Sequence, residues 1–238
     1  MIDASARDGA ETLTGRLGAV DARITAAARV HGRDPAEITR IVVTKFHPAS
    51  LVRELYAAGV RDVGENRQQE LSAKAGDLAD LTDLRWHFVG QAQTNKARAI
   101  RSAAAAVHSV DRPRIADALD AAAEKPEEDV LDVFLQINLT DDPGRGGVHP
   151  DGLLALAEHV VGLGALRLRG VMAVAPLDEE PARAFARLAR MSESVRGVAP
   201  SASAISAGMT GDFEEAIAAG ATHLRIGSAI TGPRPLRG

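Results

Sequence analysis

The 238 residues carry 45% apolar and 25% charged side chains, a net charge of −4 and no cysteine. That balance describes an ordinary globular chain and argues against a general nucleic-acid or membrane-surface binder; five Phe, one Tyr and one Trp are too few for a base-stacking platform. Disulfides, thiolate metal sites and a cysteine nucleophile are excluded, and the seven histidines never fall at metal-motif spacing.

Residues 1–8 show no periodicity and read as frayed. No apolar run reaches membrane-spanning length and the acidic, polar N-terminus does not read as a signal peptide, so a soluble cytoplasmic protein is expected. From about Glu11 to Val30, Leu13, Leu17, Val20, Ile24 and Ala27 recur at three- and four-residue steps, which predicts an amphipathic helix. Short apolar runs follow at 41–45, 62–65, 85–90, 106–110, 132–139, 168–175, 204–207 and 222–230. Helical patterns separate them at 49–58, 67–79, 94–104, 111–123, 151–163, 178–196 and 211–219. Thr94 and Asp111 read as helix starts, and Gly59, Gly197 and Gly220 as helix stops.

Eight strands alternating with seven helices predict a parallel sheet, and eight is the number that closes into a (β/α)8 TIM barrel. The open doubly wound sheet is the rival. After the eighth strand only Thr231 to Gly238 remains, too short and too proline-rich for an eighth helix; the extra N-terminal helix is placed to cover the gap. No linker or repeat marks a boundary, so residues 1–238 are expected to form a single domain.

In such a barrel the working residues sit at the C-terminal ends of strands. Those ends supply Lys45, Glu65, Asn66, His87, Gln91, Ser109, Asn138, Met172, Ser206, Gly208, Met209, Thr210, Arg225, Gly227 and Ser228. Lys45 is the only amine among them, in a chain with only four lysines, and it ends a β-branched run suited to burial. Burial makes a lysine nucleophilic, fit for a Schiff base with a carbonyl or with pyridoxal phosphate; a snorkelling surface lysine is the plain alternative. After strand 7, Ser206-Ala-Gly208-Met209-Thr210-Gly211-Asp212 runs into a helix, and Gly227-Ser228 follows strand 8. Loops at those two strands are the usual phosphate seat of this architecture, with Arg225 beside them to grip the anion, reach a ring nitrogen or pair with a carboxylate. The glycine-rich stretch 142–147 lacks the dinucleotide and Walker spacings and reads as a flexible loop. Glu65 is read as a base or as a carboxylate paired with a neighbouring lysine or arginine. His87 is read as a core histidine ahead of a catalyst.

With these motifs collected, the chain resembles the pyridoxal-phosphate homeostasis proteins, relatives of the barrel domain of bacterial alanine racemases. The resemblance runs from about residue 10 to 232 and rests on Val43-Thr-Lys45 with Pro48, Gly64-Glu-Asn66, Trp86-His-Phe-Val-Gly90, Gln93-Thr-Asn-Lys96, Gly170-Val-Met172, Ser206-Ala-Gly-Met209 and Arg225-Ile-Gly-Ser228. It implies that Lys45 carries pyridoxal 5'-phosphate as a Schiff base and that Ser206, Gly208, Gly227 and Ser228 hold the phosphate, with Met209 in the same motif. It further implies that Arg225 lies against the pyridine nitrogen and that Asn66, His87, Asn138 and Met172 line the pocket.

An arginine at that nitrogen weakens the ring as an electron sink. The racemases add a catalytic tyrosine from a second domain, whereas the single tyrosine here, Tyr56, lies in the first barrel helix. The resemblance therefore implies a carrier that hands the cofactor to dependent apo-enzymes, as a monomer or weak dimer, without turnover. A racemase or decarboxylase using His87 or Glu65 as base is the alternative, and a cofactor-free Schiff-base aldolase a third class. The chain departs from the family where a second lysine is replaced by His47, a tyrosine by Arg67, a leucine by Ala92 and an aromatic residue by Thr231.

Overall fold

The computed structural model describes residues 12–126, 128–142 and 144–234; the stretch 1–8, expected to fray, lies outside them. Helix α1 (Leu13–Val30) buries Leu17, Val20 and Ile24 of the stripe read from the sequence, with Ala28 buried in place of Ala27, which with Leu13 is only partly covered. Its first turn is closed by the Thr12 hydroxyl, which accepts from the Gly15 amide at 3.1 Å.

Eight parallel strands follow: β1 (Thr39–Val43), β2 (Asp62–Glu65), β3 (Arg85–Phe88), β4 (Ala106–Val110), β5 (Leu131–Gln136), β6 (Leu166–Met172), β7 (Ala204–Ser206) and β8 (His223–Ile226). They pair in sequence order and close, with Thr39–Val42 of β1 in register with His223–Ile226 of β8. This is the expected closed barrel, and the open sheet is set aside. The outer layer is α2 (Ala49–Ala57), α3 (Gln68–Asp77), α4 (Ala97–Arg101), α5 (Pro113–Asp120), α6 (Leu153–Val161), α7 (Pro181–Val198) and α8 (Phe213–Ala218). Aliphatic side chains from both layers form one continuous core between sheet and helices. Among the described residues no helix is long and apolar enough to cross a membrane.

Four local expectations change. Strand β1 stops at Val43, so Lys45 stands in the turn beyond it rather than on the strand. Where no eighth helix was expected, residues Ser228–Thr231 form a single turn, α9, because β8 ends at Ile226 and frees them. Helix α1 packs across that turn, its Arg16 Nε donating to Ile230 O at 2.8 Å. Neither Thr94 nor Asp111 caps a helix: Thr94 is the first residue of a 3-10 turn, and the Asp111 carboxylate instead pairs with Arg112 and accepts from Gln91. Gly59 and Gly220 do end helices, at φ 91° and 97°, but Gly197 lies inside α7, which runs on to Val198.

Inside the barrel alternate residues point to the axis. That interior is mixed. Ala106, Phe134, Met172 and Ala204 form a small apolar cluster, and the His108 ring stacks on Phe134 at 4.2 Å between centroids.

Candidate functional site

A cleft of about 400 Å³ opens at the C-terminal ends of the strands, lined among others by Lys45, Asn66, Thr210, Arg225, Gly227 and Ser228. Its volume lies within the roughly 300–1,000 Å³ usual for small-molecule sites. Its residues come from six different strand ends, which the closed barrel brings together.

The Lys45 side chain is exposed and lines this cleft. The expectation of a buried lysine is thereby corrected: the last buried position of the run is Thr44, and the chain turns immediately after it. What is buried is the bracket around Lys45. Thr44 Oγ1 donates to Glu65 Oε1 at 2.6 Å, and Thr44 O accepts from Lys74 Nζ at 2.9 Å. On the other side, the Phe46 amide donates to Glu70 Oε2 at 2.8 Å. Phe46 sits at φ 71°, the one non-glycine residue with positive φ among the described residues. Such a backbone is costly and persists where its surroundings over-determine it. The two neighbours of Lys45 are therefore fixed, and the amine, 5.9 Å from the centroid of the Phe46 ring, stands on a rigid base.

Across the cleft, the loop between β7 and α8 turns on Gly208 at φ 89°. A Cβ there would lie 2.8 Å from Ala216 Cβ and 2.9 Å from Phe213 Cα, so only glycine fits. Asp212 Oδ1 closes the loop by accepting from the Met209 amide at 2.6 Å, and Gly208 O accepts from the Arg225 amide at 2.9 Å. This presents the Thr210 and Ser228 hydroxyls and the glycine backbones of 211 and 227 to the cleft. Behind them Arg225 is buried, donating through one Nη to Ser206 Oγ at 2.7 Å and through the other to Ala173 O at 2.9 Å. Burial brings its pKa down to about 10, against the pull of the Asp212 charge, so the guanidinium remains cationic at neutral pH.

Of the residues singled out in the sequence, Lys45, Asn66, Met209, Arg225, Gly227 and Ser228 line this cleft together, with Gly208 shaping its wall. Four others lie elsewhere. Ser206 is fully buried and its hydroxyl is engaged by Arg225 and His108. Met172 belongs to the apolar cluster inside the barrel. Asn138 lines a neighbouring hollow, where its amide donates to Asp142 O and Arg145 O and so folds the glycine-rich loop. His87 faces a separate cavity at the N-terminal end of the barrel. Met172 and Ser206 do end their strands, whereas His87 lies within β3 and Asn138 two residues beyond β5; a two-residue difference along a strand moves a side chain a full layer deeper.

Both general-base candidates of the enzyme alternative are occupied. Glu65 is wholly buried against Lys74 and Thr44, and burial raises its pKa against their opposing pull. His87 is held between Asp62 and His108. Tyr56 donates to Asp83 and is covered by Arg61, on the outer layer. Lys74, which braces the site, was not singled out from the sequence. Its signal was its place in the Leu71, Lys74, Leu78 stripe, a cation on the inward face of a helix.

Residues 16–235 match the model of the alanine racemase N-terminal domain family. The pyridoxal phosphate homeostasis protein of Pseudomonas aeruginosa is 43% identical over 224 residues, covering 94% of this chain and 96% of that one. That of Escherichia coli K12 is 40% identical, covering 92% and 95%. The structure of PipY from Synechococcus elongatus with pyridoxal phosphate bound is 34% identical and superposes with a TM-score of 0.79, over 93% of this chain and all of that one. With near-complete coverage in both directions, this chain belongs to the pyridoxal phosphate homeostasis proteins of the alanine racemase N-terminal domain family.

Proposed function

We propose that the cleft binds pyridoxal 5'-phosphate through Lys45, and that the protein stores and hands on this cofactor without turning over a substrate. The observation that carries this reading is the facing of one exposed amine on a rigid base against two glycine-backed turns and a buried guanidinium. The donor set fits a phosphorylated pyridine aldehyde. Thr210, Ser228 and the backbone at Gly211 and Gly227 would hold the phosphate, Asn66 and the apolar Val43, Val89 and Val174 the ring. When bound, pyridoxal phosphate supplies an aldehyde that condenses reversibly with an amine and a ring able to store electrons.

The residues here favour the first property over the second. Arg225 only donates, so it holds a ring nitrogen in its unprotonated form and weakens electron storage. The proton-moving groups a racemase needs at the substrate face are tied up elsewhere, as Glu65, His87 and Tyr56 are. The relatives, too, are named for homeostasis rather than for a reaction. Handing on makes pyridoxal-phosphate-dependent apo-enzymes the partners, met in the cytoplasm by a monomer or weak dimer. The exposed apolar rim residues Val174 and Met209 offer the contact surface.

The test is spectroscopic. Purified protein given pyridoxal phosphate should gain a visible absorbance band and, after borohydride reduction, the corresponding mass on Lys45. Lys45→Ala should gain neither. A wild type that stays colourless with added cofactor rules the reading out, and rapid α-proton exchange of an amino acid in deuterated water selects the enzyme alternative.

A further inference from the structure

Five buried side chains form an unbroken line through the barrel. Asp62 Oδ1 meets His87 Nε2 at 2.9 Å, His87 Nδ1 meets His108 Nε2 at 3.0 Å, and His108 Nδ1 meets Ser206 Oγ at 2.8 Å. Arg225 then donates to Ser206 Oγ at 2.7 Å. The line begins at a cavity of about 340 Å³ at the N-terminal end of the barrel and ends in the opposite cleft. Asp62, His87, His108, Ser206 and Arg225 are each less than a tenth exposed.

The chemistry of the two ends fixes the direction of every proton between them. Arginine only donates, so Ser206 Oγ is an acceptor toward Arg225 and its own hydrogen goes to His108 Nδ1. His108 then carries its proton on Nε2 and gives it to His87 Nδ1. His87 carries its proton on Nε2 and gives it to Asp62, a carboxylate that only accepts. A second proton on His87 would turn His108 round, aim two donors at Ser206 and strand its hydroxyl hydrogen in the interior, where an unmatched polar group is costly. The charges agree with this order. Burial first, and then the charge of Arg225, drive the His108 pKa well below its ordinary value. Burial works to raise the Asp62 carboxyl, but hydrogen bonds from His87 and from Arg85, 2.7 Å away, more than offset it and hold the group ionised.

We infer that Asp62, through His87, His108 and Ser206, is a positioning residue that orients Arg225, so that the base of the barrel is coupled to the cleft. Asp212 acts on Arg225 through its charge, but among the described residues no carboxylate is hydrogen-bonded to it; its two Nη partners are the Ser206 hydroxyl and the Ala173 carbonyl. A carboxylate at one end of such a series polarises each donor in turn and makes the last oxygen a better acceptor. Its effect on cofactor binding rests on the proposed function; the chain itself does not.

The experiment has a cofactor-free arm and a loaded arm. In the first, nitrogen-15 NMR of the full chain at neutral pH should show His87 and His108 both singly protonated on Nε2. Asp62→Asn should move the Arg225 guanidinium nitrogen signals, and the same change made on top of Ser206→Ala should not, because the line is already cut. Either histidine as imidazolium or as the Nδ1–H form overturns the inference, as does an Asp62→Asn shift that survives Ser206→Ala. The wild-type tautomers decide the matter alone if a variant does not fold. In the second arm, Asp62→Asn should weaken pyridoxal phosphate binding about fivefold, the size expected from replacing a charge-assisted hydrogen bond by a neutral one. Unchanged affinity overturns the coupling to the cleft. A wild type that binds no pyridoxal phosphate overturns the proposed function instead, and leaves the tautomers to judge the chain.

Discussion

Lys74 and Glu65 form a buried ion pair, Nζ to Oε1 at 2.6 Å, with side chains 8% and 0% exposed. The same Nζ donates to Thr44 O, one residue before Lys45. The structure thus uses its lysines in an unexpected division. The exposed one faces the cleft, and the buried one holds the backbone that carries it. Breaking such a pair from one side leaves an uncompensated charge, whereas removing both partners is far milder.

Lys74→Met should therefore destabilise the fold by about 3–5 kcal/mol, and Lys74→Met with Glu65→Leu should recover most of that loss. Urea unfolding of the two variants checks it. Equal destabilisation in both would mean that packing, not charge, dominates at this position.

Lys45→Ala separates site from scaffold. The side chain is exposed and no hydrogen bond of its own ties it down, while its neighbours are held by Glu65, Lys74 and Glu70. Its removal should shift stability by no more than about 0.5 kcal/mol, the usual range for surface substitutions, while abolishing covalent capture of the cofactor. A large loss of thermal stability would show Lys45 to be a structural residue.

Glycines 208 and 59 share nearly the same backbone, φ 89° and 91°, but differ in surroundings. A Cβ on Gly59 meets nothing within 4 Å, whereas one on Gly208 enters Ala216 and Phe213. Gly59→Ala should cost about 1 kcal/mol from the left-handed conformation alone. Gly208→Ala should cost roughly 2–4 kcal/mol by adding overpacking, and should weaken binding of pyridoxal phosphate through the displaced loop. Matching costs in the two variants would remove the crowding argument.

The barrel was legible because its signals are periodic. The stripe of α1, the alternation of eight apolar runs with helices, and the glycine stops at 59 and 220 all survive into the structure. The cleft was legible through its ends: Lys45, Asn66, Met209, Gly227 and Ser228 each follow a strand, and Arg225 is the last but one of β8. Depth was not legible. His87, Met172 and Ser206 lie on β3, β6 and β7, whose following residues Val89, Val174 and Met209 line the cleft, and pleat and stagger decide which layer each occupies. The partners that fix Lys45 were hidden for another reason, since Lys74 and Glu70 act from a helix far along the chain and only tertiary packing brings them to residues 44 and 46.

Acid should unfold this protein earlier than its carboxylates alone would require. His108 is held well below 6.5, and His223 is lowered from 6.5 to about 3, in both cases chiefly by burial. Unfolding returns both rings to water, where they protonate near their ordinary value. Between 6.5 and about 3 the unfolded chain therefore binds more protons than the folded one, so this contribution to stability is complete above 6.5 and is lost as the pH falls through that window. The depressed Asp62 carboxyl acts with the same sign at lower pH, being lost as the pH falls below the ordinary carboxylate value. The urea midpoint should thus drop steadily from about pH 7 to about pH 4.5, before most carboxylates titrate. His223→Gln retains a polar partner for the Thr222 hydroxyl, which His223 Nδ1 meets at 2.8 Å, but has no ring to protonate, so its midpoint should fall less steeply. A midpoint that is flat over this range in the wild type, or a slope unchanged by His223→Gln, would show that neither ring is excluded from protonation by the fold.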